Sequence, residues 1–334
     1  MLKKISSKIS NWTLRKFGKT FLFKTNSGCA KVKFSNFWPT VTLDNFDFVN
    51  PLKINLNSFF NDNSTRKKRN VKIELFSVFG DKKKIQCSDA KIKIFFTGEE
   101  VHKNFTDYDD LCINNVDLSV GFDFEEDINR ENYFRYPLWL CYYFGATLDK
   151  DEIAKQVVKI NSKQQNNRDK FCSLVAAHDL NDIRKNFIQL LRQVDIVSCP
   201  GLFMHNDDSL RTVYDDNKIR YLENFVFNLC PENVSVKGYT TEKLFQSFDA
   251  GCIPIYSGSA NNPEPNVINK DAIVFYNGND EDFIHEIELL WHDVKYRQEF
   301  LSRPRLLDTA VDYIYERTVQ LNNRIKELFE SKLK

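Results

Sequence analysis

The first half of the chain carries short apolar runs that are separated by polar loops. These runs lie at 30–38, 71–80, 91–99 and 117–124. Short apolar runs bounded by polar loops are typical of strands that are buried on both faces of a parallel sheet. The pattern therefore predicts a parallel sheet in this half of the molecule.

In the second half, patterns typical of strands and of helices alternate more regularly. A strand followed by an amphipathic helix and a further strand predicts a βαβ unit. The predicted strands and then the predicted helices lie at 170–177, 194–201, 225–233, 252–256 and 272–277, and at 180–194, 240–250, 280–293 and 307–332. The fold class that follows is α/β, with a parallel sheet in each half.

A polar stretch at 148–170 separates the two halves. It reads LDKDEIAKQVVKINSKQQNNRDK, and such a change of composition is typical of a domain boundary. The sequence thus predicts one domain over residues 1–165 and a second over residues 166–334, which ends in the long terminal helix. A chain of 334 residues is long enough for two hydrophobic cores.

Composition and charge argue against several classes of function. The net charge is +1, so no overall electrostatic field favours nucleic acid as a partner. No stretch reaches the roughly 18 uninterrupted apolar residues of a transmembrane helix, and the basic N-terminus lacks the apolar core of a signal peptide. Within residues 1–20, Ile5, Ile9 and Trp12 share one helical face among basic residues. That face is compatible with peripheral contact to an anionic membrane, or with an ordinary terminal helix packed on the domain.

Familiar signatures of metal and phosphate sites are missing from the sequence. The eight cysteines are scattered without CxxC spacing, and the five histidines form no spaced pair. We therefore expect free, buried thiols in a reducing compartment, and the sequence predicts no metal site. We find no GxGxxG opening a helix, no Walker A loop, no HExxH and no GxSxG.

One strand–loop–helix segment, residues 225–256, remains as a candidate site. Its helix places Lys243 in the first turn, where exposed N–H groups already carry partial positive charge. Arg184 repeats this arrangement at the start of another predicted helix. In open parallel sheets, ligands bind at the carboxyl ends of strands, often against a helix N-terminus. The two cations are either exposed to solvent or belong to one anion site, such as a diphosphate clamp.

The same segment resembles the donor-binding signature of the α-1,3/1,4-fucosyltransferases. The residues that carry the resemblance are FNLCPENVSVKGYTTEKLFQSFDAGCIPIYSGS at 227–259 and, upstream, KFCSLVAAHDLNDIRKNF at 170–187. In the first half, two segments resemble the family's acceptor domain: IFFTGEEVHKNF at 94–105 and LSVGFDFEEDINRENYFRYPLW at 118–139. All four segments occur in the family's order, and the block Tyr-x-Thr-Glu-Lys is highly specific.

The resemblance implies a GT-B fold, in which two Rossmann-like domains face each other across a cleft. The first domain would bind the acceptor and the second the GDP-sugar. It also implies GDP-fucose as the donor, inversion at the fucose anomeric carbon and no required cofactor. By position, Arg184 and Lys243 would neutralise the diphosphate leaving group, and Glu99 would be the general base on the acceptor hydroxyl. The other donor contacts that it implies are Glu232, Asn233, Tyr239 and Glu242.

The sequence defines only the general class of the acceptor. The resemblance implies a GlcNAc or glucose unit in an oligosaccharide or lipopolysaccharide, with contacts expected from loops at 37–40 and 102–108. Two alternatives stay open, namely a GT-B glycosyltransferase with another sugar nucleotide and a catalytically inactive glycan-binding protein. Asn233 begins a glycosylation sequon, and a glycan there would block the donor site. This favours a cytoplasmic protein, and the N-terminal face leaves peripheral contact with the inner membrane surface open as one of its two interpretations.

Overall fold

The chain folds into two compact units. In the computed structural model, unit 1 comprises Met1–Leu148 and Tyr315–Lys334, and unit 2 comprises Asp149–Ile314. The predicted membrane-contacting face near the N-terminus lies outside the described residues. The structure describes residues 18–25, 28–62, 70–163 and 168–333.

In the described part of unit 1, six strands form one sheet. They are β1 (Lys19–Lys24), β2 (Cys29–Ser35), β3 (Asn70–Phe76), β4 (Ile92–Phe96), β5 (Leu118–Gly121) and β6 (Tyr133–Arg135). The strands lie side by side in chain order, with β1 antiparallel to β2 and the other neighbours parallel. The helices of this segment are α1 (Asn50–Asp62), α2 (Lys83–Gln86), α3 (Glu125–Ile128) and α4 (Leu138–Phe144).

Burial explains which strands of unit 1 the sequence predicts. In β4 and β5 nearly every side chain is buried, as expected for central strands covered on both faces. Strands β4 and β5 fall within their predicted runs, and β2 and β3 begin one residue before theirs, so all four predicted strands are confirmed. The edge strand β1 instead alternates between half-buried and exposed positions. It and the three-residue β6 are too short or too polar to give a continuous apolar signal, and the sequence analysis does not identify them.

In unit 2, the described residues form a second sheet of five strands, all parallel. The strands are β7 (Lys170–Ser173), β8 (Val197–Ser198), β9 (Phe225–Leu229), β10 (Ile253–Tyr256) and β11 (Val274–Phe275). The helices are α5 (Lys150–Asn161), α6 (Ile183–Leu191), α7 (Ser209–Thr212), α8 (Lys218–Leu222), α9 (Glu242–Asp249), α10 (Asp280–His292) and α11 (Val294–Leu301). The last helix, α12 (Ala310–Leu333), begins in unit 2 and belongs to unit 1 from Tyr315 onward. The predicted βαβ pattern and the α/β class are thus present.

The order of strands across this second sheet is β11-β10-β9-β7-β8. The chain moves outward from β7 to β8, then returns to place β9 on the other side of β7. The order therefore reverses between β7 and β9, and the loops that follow these two strands diverge. Such a reversal opens a crevice at the carboxyl ends of the two strands.

The limits of the units differ from the predicted domains at two places. Unit 2 begins at Asp149 rather than 166, because the polar stretch forms α5, which is bound to a later loop of the same unit. The side chain of Asn161 accepts from the backbone N–H groups of Arg305 (2.9 Å) and Leu306 (2.8 Å) and donates to the Leu306 carbonyl (3.0 Å). The buried Arg305 guanidinium donates to the carbonyl of Ile160 at 3.0 Å.

The terminal helix α12 accounts for the second difference. From Tyr315 onward it belongs to unit 1, although the sequence places it in the second domain. Thr318 shares a hydrogen bond with the hydroxyl of Tyr136 at 3.0 Å, and Arg317 forms an ion pair with Glu125 at 2.5 Å. A boundary read from composition divides a chain once, so it does not detect a C-terminal helix that returns to the first unit.

Two global expectations concern membranes and thiols. Among the described residues, no helix combines the length and apolarity needed to span a bilayer. Six of the eight cysteines are buried, while Cys29 is half-buried and Cys87 is exposed. The scattered thiols are therefore mostly core residues, as predicted.

Asn161 provides a test of where unit 2 begins. We expect Asn161→Ala to lower the free energy of unfolding by roughly 2–3 kcal/mol, because it leaves several buried backbone groups without partners. Exposed Asn262, changed to alanine, serves as the control and should have little effect. Chemical denaturation measures both, and equal losses for the two variants would contradict this role of α5.

Candidate active site

The two predicted cations lie at the reversal of strand order in unit 2. Arg184 is the second residue of α6, the helix that follows β7, and Lys243 is the second residue of α9, the helix that follows β9. Their loops leave adjacent strands on the same edge of a parallel sheet. The sequence-predicted pair therefore occupies the place where open α/β sheets bind ligands.

Lys243 is paired with a buried carboxylate. Its Nζ lies 2.8 Å from Oε2 of Glu232, whose residue is 2% exposed. The backbone N–H of Thr241 donates to Oε1 of Glu232 at 2.7 Å, and the Thr241 hydroxyl donates to Oε2 at 2.8 Å. Thr241 is the N-cap of α9. Glu232 thus places a negative charge at the positive end of the helix, where it also satisfies an otherwise unpaired N–H.

This carboxylate explains why the helix tolerates a lysine in its first turn. Burial alone lowers the pKa of Lys243, but Glu232 and Glu242 act against burial and raise that pKa above its usual value. The ammonium therefore keeps its charge at neutral pH. Its side chain as a whole remains 20% exposed.

Glu232 was predicted to contact a ligand directly. In the structure its oxygens accept from Lys243 and Thr241, and more distantly from the Tyr256 hydroxyl at 3.4 Å. A direct contact with a ligand requires some of these bonds to open, so Glu232 supports Lys243 in the structure described. Gly258 lies against the Glu232 side chain, because a Cβ there would come within 2.7 Å of Glu232 Cγ and 2.6 Å of the Tyr256 oxygen.

Arg184 connects the two loops that carry the cations. It is 6% exposed, and its Nη2 donates to the side-chain oxygen of Asn233 at 2.8 Å. Its other terminal nitrogen donates to the carbonyl of His178. Asn181 donates to the Asn233 carbonyl at 3.2 Å, so Asn233 is bound from both sides. Burial lowers the pKa of Arg184, although a guanidinium stays charged at any physiological pH.

The other predicted donor contacts lie around the start of α9. Glu242 is its first residue and is half-buried. Tyr239 is buried, and its carbonyl accepts from the hydroxyl of Ser259 at 2.7 Å. The same hydroxyl shares a hydrogen bond with that of Thr240 at 2.7 Å, which fixes the turn before the helix. The structure therefore brings all six predicted donor residues to two adjacent loops and the helices that follow them.

Sequence reasoning did not identify a third cation, Lys218. It is the first residue of α8, and its Nζ donates to Oε1 of Gln246 at 2.6 Å. Burial lowers its pKa, while the neighbouring Glu242 carboxylate acts in the opposite direction. Lys218 comes from a segment with no apparent motif, so no local signal in the sequence could have connected it with α9.

A cavity of about 870 Å³ lies beside these loops in unit 2. It contains none of the predicted donor residues, but its lining includes Ile183 and Ser235, close in sequence to Arg184 and Asn233. A face of α6 and the residues after β10 form much of the remaining wall. Its volume falls within the range of small-molecule sites.

The predicted base, Glu99, lies after β4 in unit 1. The residue is half-buried, and its Oε1 accepts from the indole N–H of Trp38 at 3.3 Å. Its backbone is fixed by Thr97, whose hydroxyl accepts from the Glu99 N–H at 3.1 Å and donates to the Glu99 carbonyl at 2.8 Å. The carboxylate is thus held on a rigid turn at the carboxyl edge of the sheet.

The adjacent Glu100 has a different environment. It is 1% exposed, and its two oxygens accept from the backbone N–H groups of His102 (2.8 Å), Lys103 (3.0 Å) and Asn104 (3.1 Å). These bonds cap the turn that follows. Of the two neighbouring carboxylates, Glu99 is therefore the more exposed to solvent.

His102, in the loop that follows Glu100, is bound by two aspartates. Its ring nitrogens lie 2.5 Å from Asp109 and 2.8 Å from Asp123. The hydrogen bond to Asp123 is the main reason that the pKa of His102 rises to about 9. The imidazolium therefore stabilises the fold fully below its unfolded pKa of about 6.5, and this contribution is lost as the pH rises through about 9.

In the ranges that the structure describes, no group of three or more His, Cys, Asp or Glu side chains is arranged to hold a metal ion. Arg184, Lys243 and the N-terminus of α9 bring positive charge to one edge of the sheet in unit 2. Such groups are complementary to a multiply charged anion such as a diphosphate.

Solved structures define the class of fold. A crystal structure of an alpha1,3-fucosyltransferase matches with a TM-score of 0.63 and 18% identity, over 93% of this chain and 94% of that one. A crystal structure of an alpha1,3-fucosyltransferase with GDP-fucose matches with a TM-score of 0.57, also at 18% identity, over 91% and 93% of the two chains. With its two parallel-sheet α/β units, the protein has the predicted GT-B fold.

Sequence comparisons identify the family. Residues 32–142 match the model of the Alpha-(1,3)-fucosyltransferase FucT N-terminal domain, and residues 161–298 match that of the Glycosyltransferase family 10 (fucosyltransferase) C-term. The Alpha-(1,3)-fucosyltransferase FucT of Helicobacter pylori is 28% identical over 208 residues, which are 54% of this chain and only 40% of that protein. The chain belongs to the α-1,3-fucosyltransferase family, glycosyltransferase family 10.

The Glu232–Lys243 pair gives the first test of the site. We expect Glu232→Gln to lower the free energy of unfolding by about 3 kcal/mol, because loss of one partner leaves the other charge uncompensated. Partial exposure of Lys243 keeps the loss from being larger. Glu242→Gln removes a carboxylate from the same helix start and should cost about 1 kcal/mol or less. Urea denaturation measures both, and similar losses would contradict the assigned role of Glu232.

Proposed function

We propose that this protein is an inverting fucosyltransferase that transfers fucose from GDP-fucose to a glycan hydroxyl. The observation that carries the proposal is the pair of cations at the reversal of strand order in unit 2, namely buried Arg184 and half-buried Lys243, each at the start of the helix that follows its strand. Family membership supports fucose as the sugar, and the solved relative described with GDP-fucose supports the nucleotide.

The leaving group is GDP, which departs with its negative charge on the terminal phosphate. Arg184 presents a planar guanidinium that suits two phosphate oxygens, and Lys243 presents a single ammonium. Because both are held by bonds to Asn233 and Glu232, the clamp is organised before the donor binds. Cations that are fixed in this way stabilise the developing charge without a cost of reorganisation.

Glu99 is the general base in this proposal. It removes the proton from the acceptor hydroxyl while the oxygen attacks the anomeric carbon of fucose and the bond to the phosphate breaks. A single displacement of this kind inverts the anomeric configuration. Glu99 suits this role because the Trp38 indole and the Thr97 turn orient it, whereas the oxygens of Glu100 accept from the backbone.

The acceptor in the proposal is a GlcNAc or glucose unit of an oligosaccharide or lipopolysaccharide, linked through its 3- or 4-hydroxyl. The description of the H. pylori relative as an alpha-(1,3) enzyme supports the 3-hydroxyl. The donor contacts predicted for Asn233, Tyr239 and Glu242 are part of this proposal, and so is the absence of a required metal.

The phosphate clamp predicts a specific loss of donor affinity. We expect Arg184→Ala and Lys243→Ala each to weaken GDP binding by about 10- to 100-fold, which corresponds to roughly 1.5–3 kcal/mol per charge-assisted contact. Lys185→Ala is a matched control, because Lys185 is exposed, carries the same charge and follows Arg184 directly. Calorimetry with GDP measures all three variants. Unchanged affinity in both clamp variants, or an equal loss in the control, would contradict the clamp.

The base predicts a loss of rate without a loss of donor affinity. We expect Glu99→Gln to lower turnover by roughly 10²–10⁴-fold, the usual contribution of a general base, with GDP-fucose affinity and thermal stability nearly unchanged. Glu100→Gln should instead lower the melting temperature, because it weakens the cap of the following turn. Measuring turnover, affinity and melting for both variants decides between the carboxylates, and the opposite pattern would assign the base to Glu100.

A further inference from the structure

Three half-exposed aromatic rings form a continuous surface at the carboxyl edge of the sheet in unit 1. They are Trp38, Phe79 and Phe105, from the loops after β2, β3 and β4. The ring centroids of Trp38 and Phe79 are 5.1 Å apart at 54°, and those of Phe79 and Phe105 are 5.4 Å apart at 78°. We call these three rings the aromatic platform. Partly exposed aromatic rings that lie side by side are common in the walls of ligand-binding sites.

The loops that carry the platform are connected by Asn36. This residue adopts a left-handed conformation with φ of 59°, which asparagine tolerates better than most residues. Its carbonyl accepts from the N–H of Phe79 at 2.8 Å, and its amide donates to Asp81 (3.0 Å) and Tyr108 (3.1 Å). The three loops are therefore tied to one another, and the rings are held in place before a ligand arrives.

The platform is also tied to the proposed base. The indole N–H of Trp38 donates to Oε1 of Glu99, so the carboxylate lies at the edge of the first ring. A general base must come within about 2.6–3.2 Å of the hydroxyl whose proton it takes. A sugar whose hydroxyl reaches Glu99 must then lie beside Trp38 as well.

We propose that the aromatic platform binds a pyranose ring of the acceptor glycan through that ring's C–H face. A pyranose in the glucose configuration is polar around its rim and presents C–H groups on its faces. An aromatic ring has a negative face that attracts such C–H groups, and stacking removes apolar area on both partners from water. The rim hydroxyls then point sideways, toward Glu99 at the edge of Trp38. This inference rests on the proposed fucosyltransferase activity, and it assigns the acceptor site.

A carbohydrate fits this surface better than a lipid or an apolar peptide does. Glu99 borders the rings, and an apolar partner would remove its charge from water without offering a hydrogen bond. A sugar covers the rings and supplies a hydroxyl to the carboxylate at the same time.

Trp38 has two separable roles in this arrangement. Its ring supplies stacking area, and its N–H orients Glu99. Trp38→Leu removes both, whereas Trp38→Phe keeps an aromatic face and removes only the N–H. We expect Trp38→Leu and Phe79→Leu to raise the acceptor KM by about tenfold or more, with GDP-fucose affinity within twofold of the parent value. Trp38→Phe should mainly lower kcat and shift the pH profile of kcat, because the carboxylate loses a fixed donor.

The experiment uses the full chain with N-acetyllactosamine and lactose as probes. Steady-state kinetics gives KM and kcat, and saturation-transfer NMR with GDP in place of GDP-fucose gives acceptor binding without turnover. Tyr142→Leu, an aromatic change at a 66% exposed position on α4, is the control and should leave acceptor KM unchanged. Phe105→Leu provides a further platform variant, and circular dichroism confirms that each variant is folded.

The outcomes separate this inference from the proposed function. Sugar binding that depends on Trp38 and Phe79 in a protein that transfers no fucose would support the platform and refute the activity. Fucose transfer with an unchanged acceptor KM in the folded platform variants would refute the platform alone. Loss of GDP-fucose affinity in these variants, with acceptor binding intact, would assign the rings to the donor and overturn the inference. So would failure of the parent protein to bind either probe.

Discussion

The proposed donor site depends on one contact, the ion pair between half-buried Lys243 and buried Glu232. A lysine in the first turn of α9 would be opposed by the helix dipole if Glu232 did not lie at the same helix end. The carboxylate also accepts from the backbone N–H of the N-cap residue Thr241, and the Glu232 side chain packs against Gly258. Such a pair gives little net stability, because desolvation offsets attraction. The main effect of the pair is to hold the Lys243 ammonium at the N-terminus of α9.

The order of strands in the second sheet places Lys243 beside a second cation, Arg184. Because β9 returns beside β7, the loops bearing Lys243 and Arg184 leave adjacent strands, and Asn233 joins them through the guanidinium. A single cation at a helix start would be a weak anion site. Two cations, both partly withdrawn from water and both held by neighbours, act in a medium where their field is less screened than at the surface. The strand order therefore brings two cations, each at the start of a helix, together into one positively charged region.

Sequence patterns predicted the parts of this protein that depend on local order. Buried strands leave continuous apolar runs, and Lys243 and Arg184 were recognisable because each stands where its helix opposes it. The remaining features depend on contacts between distant segments. The contact that assigns α12 to unit 1, between Thr318 and Tyr136, cannot be recognised from the amino-acid composition of either segment. Phe79 belongs to no recognisable motif, because its place beside Trp38 depends on the contact with Asn36 and on loops that become neighbours only when the sheet forms.

The two neighbouring glutamates of unit 1, Glu99 and Glu100, have different environments although they are adjacent in the chain. Both follow β4, and a one-residue step along the loop changes what each carboxylate meets. Glu100 turns inward to three backbone N–H groups, which are present whatever the side chains nearby. Glu99 is oriented instead by side chains, Thr97 through the backbone turn and Trp38 through its indole. An orientation set by side chains can be adjusted by substitution without unfolding the loop. In the proposed activity, a carboxylate held in this way is better suited to meet a variable acceptor than one bound to backbone N–H groups. Trp38 would then couple the choice of acceptor to the position of the proposed base, Glu99.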